Sequence, residues 1–167
     1  NDSTVAIYQI KSGEMISSCK GLGFPNKVMD LAYSPEGDEV AVVGKATVKF
    51  ITAINSKQRS LTPIMGKIGH KGKKQTFFSC TYFAKGLAVG CASGELYLFQ
   101  NHHCSKIVQA HVLNEPILTM YNNGSNLITG AKDGFIKTWD HTLLEIGTSL
   151  DITADADGDG EPDSGVH

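Results

Sequence analysis

The hairpin Asn126–His141, NLITGAKDGFIKTWDH, decides the fold. Its apolar run through Leu127 and Ile128 stops at the turn Lys132-Asp133-Gly134, and alternating residues then lead to Trp139-Asp140. Two such runs around a short Asp-Gly turn are the pattern of antiparallel strands joined by a tight hairpin. A turn followed by alternating residues ending on a bulky apolar side chain also occurs at Gly94–Asn101 (GELYLFQN), Ala46–Ala53 (ATVKFITA) and Ser3–Ile10 (STVAIYQI). Alignment sets Tyr8, Ile51, Phe99 and Trp139 in register, at spacings of 43, 48 and 40 residues.

Before the last three anchors stand the apolar runs Glu39–Gly44, Gly86–Gly90 and Asn126–Gly130, each closing a hairpin with its anchor. Farther upstream, Val28–Ser34, Thr76–Phe83 and Ile117–Asn122 read as inner strands buried on both faces. After the anchors come the more polar Met15–Lys20, Arg59–Met65, Cys104–Ala110 and Leu143–Leu150, suited to an outer edge that must not recruit another chain. Four strands per unit at this period is the arithmetic of the WD repeat, whose units are blades of a β-propeller. The expected fold is all-β, with about three and a half four-stranded blades over residues 1–150: 1–20 (incomplete), 28–65, 75–110 and 116–150. A sandwich would supply strands but no reason for a fourfold repeat. No segment keeps a 3.6-residue apolar period, so almost no helix is expected.

Blades lacking neighbours would leave apolar faces open, so the reading is part of a larger ring, seven-bladed or tandem, completed by the same longer polypeptide. Residues 151–167 (DITADADGDGEPDSGVH) depart from the repeat, being acidic and poor in apolar residues; they read as a flexible loop or tail. A net charge of −2 argues against a nucleic acid partner, and no run of 18 apolar residues suggests a membrane span. Cys19, Cys80, Cys91 and Cys104 lack metal-ligand spacing and sit in or beside apolar stretches, which reads as free, buried thiols in a reducing compartment.

The last unit carries His111, Thr129, Asp133 and Trp139 at positions where a blade can bury a polar chain from carboxylate to imidazole to hydroxyl to indole. The repeat explains this spacing without a nucleophile, so no catalytic residue is assigned and no enzyme is expected. In the third blade His70 stands for the histidine, Ser93 for the turn aspartate and Phe99 for the tryptophan, while the second has no equivalent histidine. These degenerate blades are expected to pack by shape rather than by a polar network. The loop Gly66–Lys74 (GKIGHKGKK) brings Lys67, Lys71, Lys73 and Lys74 together with His70, a candidate contact for an acidic partner surface. His102 and His103 form a turn expected to be exposed, without a second ligand pair for zinc. Asp155, Asp157, Asp159 and Asp163 alternate as calcium ligands do, but no glutamate stands at the twelfth position. A disordered acidic segment is the preferred reading, and no metal or cofactor is assigned.

From Lys73 onward, KKQTFFSCTYF, LAVGCASGELYLF, VQAH and LITGAKDGFIKTWDHTL follow one another as in the echinoderm microtubule-associated protein-like family, which the chain resembles over residues 1 to 150. Gly130, Lys132, Asp133, Trp139 and Asp140 match best. The resemblance implies a non-catalytic propeller scaffold that binds tubulin, microtubules or other cytoskeletal partners through its blade loops. It also implies a cytoplasmic, cytoskeletal location, on microtubules or a ciliary axoneme. The competing reading is a general WD-repeat scaffold of a multiprotein complex unrelated to microtubules.

Overall fold

The computed structural model describes residues 4–20, 22, 27–52, 54, 61–84 and 86–153. The hairpin β1 (Val5–Tyr8) and β2 (Met15–Cys19) is followed by three four-stranded antiparallel sheets. The second unit holds β3 (Val28–Tyr33), β4 (Val40–Gly44), β5 (Thr47–Ile51) and β6 (Pro63–Met65). The third holds β7 (Phe77–Phe83), β8 (Gly86–Cys91), β9 (Glu95–Gln100) and β10 (His103–Gln109). The fourth holds β11 (Ile117–Asn122), β12 (Leu127–Ala131), β13 (Phe135–Trp139) and β14 (Leu150–Asp151). Each sheet is a simple meander in chain order, and the described residues contain no helix. The fold is thus all-β, a set of partial propeller blades, and the described strands do not close into a barrel.

Period-two geometry explains how the blades hold together. Alternate residues of a strand point to opposite faces, so a strand between two neighbours needs apolar residues at every position. Along β4, Val40 and Val42 pack toward β1 and β2 with Val5 and Cys19, whereas Ala41 and Val43 pack toward the third blade with Phe77 and Val89. In β9, Tyr97 and Phe99 face the second blade, while Leu96 and Leu98 face the fourth with Ile117, Leu127 and Trp139. The cores therefore lie between blades. Each fully buried Val, Leu or Phe stabilises this arrangement by about 1.5–3 kcal/mol. Polar ties between inner strands fix the rotation of one blade against the next. Cys80 donates its backbone N–H to Asp30 (2.8 Å), Ser79 its hydroxyl to the Ile117 carbonyl (2.9 Å), and Asn122 its amide to the Tyr82 carbonyl (2.8 Å).

The inner strands share one irregularity. Their registers shift between Val28 and Asp30, between Phe77 and Ser79, and between Ile117 and Thr119. Met29, Phe78 and Leu118 are the extra residues, a bulge that bends the strand and turns its side chains out of the ladder. The turns joining second to third strands need a left-handed residue at Gly94 (φ +77°) and Gly134 (φ +82°). A Cβ at Gly94 would also meet the Val112 carbonyl oxygen at 2.5 Å.

The outer strand of the fourth blade differs from the expected Leu143–Leu150. Only Leu150 and Asp151 pair continuously, with Ile136 and Phe135. Glu145 bridges to Trp139 and Ile146 donates to the Thr138 carbonyl (2.8 Å), after which the chain loops out around Gly147. The sheet then continues past the anticipated boundary, because Ile152 donates to the Gly134 carbonyl.

Candidate functional site

Within the fourth blade a polar chain runs from the rim into the core. The Trp139 indole N–H donates to Thr129 Oγ1 (2.9 Å), which lies 2.8 Å from His111 Nε2. His111 Nδ1 stands 3.0 and 3.1 Å from the two Asp133 oxygens. The indole can only donate and the carboxylate can only accept, so Nδ1–H donates to Asp133, and with the imidazole neutral the Thr129 hydroxyl donates to Nε2. That ordering requires a neutral imidazole. Burial pushes His111 below its ordinary value, against the opposing pull of Asp133. Burial raises Asp133, but the amides of Val112 and Phe135 and the His111 ring outweigh it and hold the carboxyl below its usual range. Next to this chain Asp140 accepts from the Thr142 amide (2.7 Å), the Thr142 hydroxyl (2.7 Å) and the Leu144 amide (3.0 Å), folding the following turn. Every ligand-capable atom of the four residues is engaged inside the blade, which makes the group a structural clasp.

The third blade overturns the expectation that it packs by shape alone. Ser93 does occupy the turn, but its partner is Gln75: the Ser93 amide donates to Gln75 Oε1 (3.0 Å) and its hydroxyl to Glu95 Oε2 (2.7 Å). Gln75 Nε2 reaches Glu95 Oε2 (3.0 Å) and the Tyr97 hydroxyl (3.3 Å), and that hydroxyl receives the Lys73 amide (3.1 Å). His70 is exposed and takes no part in this network. Sequence reasoning missed Gln75 because it stands two residues before its inner strand, whereas His111 stands six before its own. In the second blade Lys49, at the position of Tyr97, reaches the Leu22 carbonyl.

A second arrangement spans two blades at the opposite rim. Glu39 accepts from the Tyr82 hydroxyl (2.6 Å) and pairs with His102 Nε2 (2.6 Å). Asn101 and His102 both carry positive φ, the signature of a two-residue hairpin turn, and the His102 ring lies 4.5 Å from that of Phe50. His102 is therefore half-buried, in contrast to the exposed turn expected, while His103 is exposed. A cleft of about 650 Å³ opens beside these residues. Burial, followed by the Glu39 carboxylate, pushes the Tyr82 phenol up.

The basic connection is fastened along its course. Lys67 pairs with His103, its N–H donating to the His102 carbonyl and its own carbonyl receiving the Cys104 N–H, both at 2.8 Å. Ile68 packs against the core between the second and third blades. Gly72 lies so close to the blade that a Cβ there would meet Tyr97 Cε1 at 3.0 Å. Between these points Lys67, His70, Lys71, Lys73 and Lys74 are all exposed. The segment is a strap laid over the outer wall of the third blade rather than a free loop. The four cysteines are unpaired, and burial pushes each thiol up, Cys104 to about 11. Among the described residues no group of three or more His, Cys, Asp or Glu could hold a metal ion. Asp155, Asp157, Asp159 and Asp163 lie outside the described residues.

A four-stranded meander whose turn aspartate, incoming histidine, second-strand hydroxyl and terminal tryptophan join in one buried chain defines a blade of the WD-repeat type. A family model described as the CFAP43 N-terminal domain matches residues 2–152, and the chain belongs to that family of cilia- and flagella-associated proteins. The hairpin motifs that resemble the echinoderm microtubule-associated protein-like family are thus not specific to that family.

Proposed function

We propose that the protein is a non-catalytic scaffold of the ciliary or flagellar cytoskeleton, binding tubulin, microtubules or their associated proteins through its blade rims and outer wall. The observation that carries this reading is the strap on the blade wall: four exposed lysines on a segment tied down by backbone bonds at Lys67 and by the Lys73 amide on Tyr97, in a chain of a cilia- and flagella-associated family. The Asp133-His111-Thr129 chain is spent on the Trp139 indole, and the thiols are held protonated by burial, so neither supplies a nucleophile. The setting that fits is cytoplasmic, on a microtubule or axonemal lattice.

Co-sedimentation of the chain with microtubules across a salt series tests it. Binding is expected to weaken as salt rises and to fall further when Lys71, Lys73 and Lys74 are changed to Glu, because exposed charges are screened. Absence of the chain from the microtubule pellet at every salt concentration refutes the reading.

A further inference from the structure

We propose that the groove between the strap and β10 is a docking site for an extended acidic segment of a protein partner, with carboxylates on the lysines and an apolar side chain on the groove floor. The inference rests on the scaffold reading above and specifies what that scaffold holds.

The groove has a volume of about 470 Å³, walled by Ile68, His70 and Lys71 on the strap and by Cys104, Lys106 and Ile107 on β10. Its charge is one-sided. Lys67, Lys71, Lys73 and Lys74 are exposed, and none of the four forms an ion pair among the described residues. The Lys106 ammonium reaches instead to the Thr142 carbonyl of the fourth blade, on the face where its partner Leu98 packs. Such a concentration of cations on a chain of net charge −2 repels itself, and a string of carboxylates relieves the repulsion. Its floor is apolar, since Ile68 and Ile107 both pack against the core beneath. A nucleic acid would instead find no Phe, Tyr or Trp among the lining residues on which successive bases could stack.

Backbone geometry favours an extended occupant. β10 is the edge of its sheet, and the strap pairs with it only around His103 before turning away at Gly69 (φ +76°). Ala110 donates inward to the Gly94 carbonyl, so by alternation Val108 and Lys106 also face β9, leaving the peptide groups of Ile107 and Gln109 directed outward. A segment entering the groove can continue along this edge the pairing that Lys67 begins, which is the strand-addition mode of peptide recognition. Because the strap is already pinned at Lys67, Gly72 and Lys73, little backbone freedom is lost when a ligand binds.

The test titrates the 167-residue chain with a fluorescent synthetic peptide of alternating Glu and Leu, its Gln counterpart, and a single-stranded oligonucleotide of equal charge. The Glu peptide alone is expected to bind and to slow amide exchange at Ile107 and Gln109. Changing Lys71 and Lys73 together to Glu is expected to lower its affinity by about tenfold or more, while Lys71→Arg preserves it. Equal binding of the Gln peptide or the oligonucleotide, unchanged affinity after charge reversal, or protection on another edge overturns the proposal. Peptide binding without microtubule binding would sink the scaffold reading and leave the groove standing. Microtubule binding unaffected by a variant that has lost the peptide would keep the scaffold and remove the groove as its means of attachment.

Discussion

The third and fourth blades have the same inner bulge, the same hairpin register and a glycine at the same turn, yet they bury different polar groups. One joins Gln75, Ser93, Glu95 and Tyr97 near its rim; the other runs His111, Asp133, Thr129 and Trp139 from rim to core. The third blade is also covered on both faces, with β8 and β9 buried along most of their length, whereas β13 buries only Trp139 fully. The comparison teaches that apolar register builds the blade and that a buried polar clasp completes it. The clasp can be rewritten residue by residue provided every donor and acceptor still finds a partner.

The most severe way to break the comparison is to empty its two anchor positions. Trp139→Ala and Phe99→Ala should each cost about 3–5 kcal/mol in denaturant unfolding, from lost burial plus a cavity. Equal losses would mean that the tryptophan contributes by volume, and a clearly larger loss for Trp139 would assign the excess to its bond with Thr129. Thr129→Val keeps the shape and orphans the indole N–H and His111 Nε2, so a loss of roughly 2–4 kcal/mol is expected. Stability unchanged by that substitution would show the buried chain to be energetically idle. Gln75→Ala touches a half-exposed network with alternative partners and should cost only about 1 kcal/mol.

Acid sharpens the contrast without altering the protein. His111 is held below its ordinary value of 6.5 when folded, so the unfolded chain takes up its proton first. The stability tied to it is present above that value and is lost as pH falls through it. Asp133 is held below 3.8, so its contribution disappears at still lower pH. Melting temperatures of the parent and of His111→Gln, followed from about pH 8 to about pH 5, should converge as acid is added. Parallel curves would contradict a neutral, buried imidazole.

How much could be read from the residues alone depended on the range of the information. The hairpin Asn126–His141 was legible because turn chemistry and alternation are local, and local spacing located His111 and Thr129 relative to Asp133 and Trp139. Gln75 was not, since its role depends on how far before its strand the strap delivers it. The Glu39 bridge to Tyr82 and His102 joins residues 43 and 63 positions apart and exists only once two blades have rotated into place. The strap's lysines were visible as a charge run, but their fastening depends on a pairing with His103 that no pattern in Gly66–Lys74 announces. The outer strand of the fourth blade was misplaced because Gly147 interrupts a segment whose two halves both follow β13.

The bulge at Met29, Phe78 and Leu118 has a consequence for how such a molecule can grow. A gene that lengthens by duplicating one of these units duplicates its kink as well. Curvature is then inherited with each copy instead of being specified anew, and later divergence can remodel turns and partners while the wedge angle stays constant.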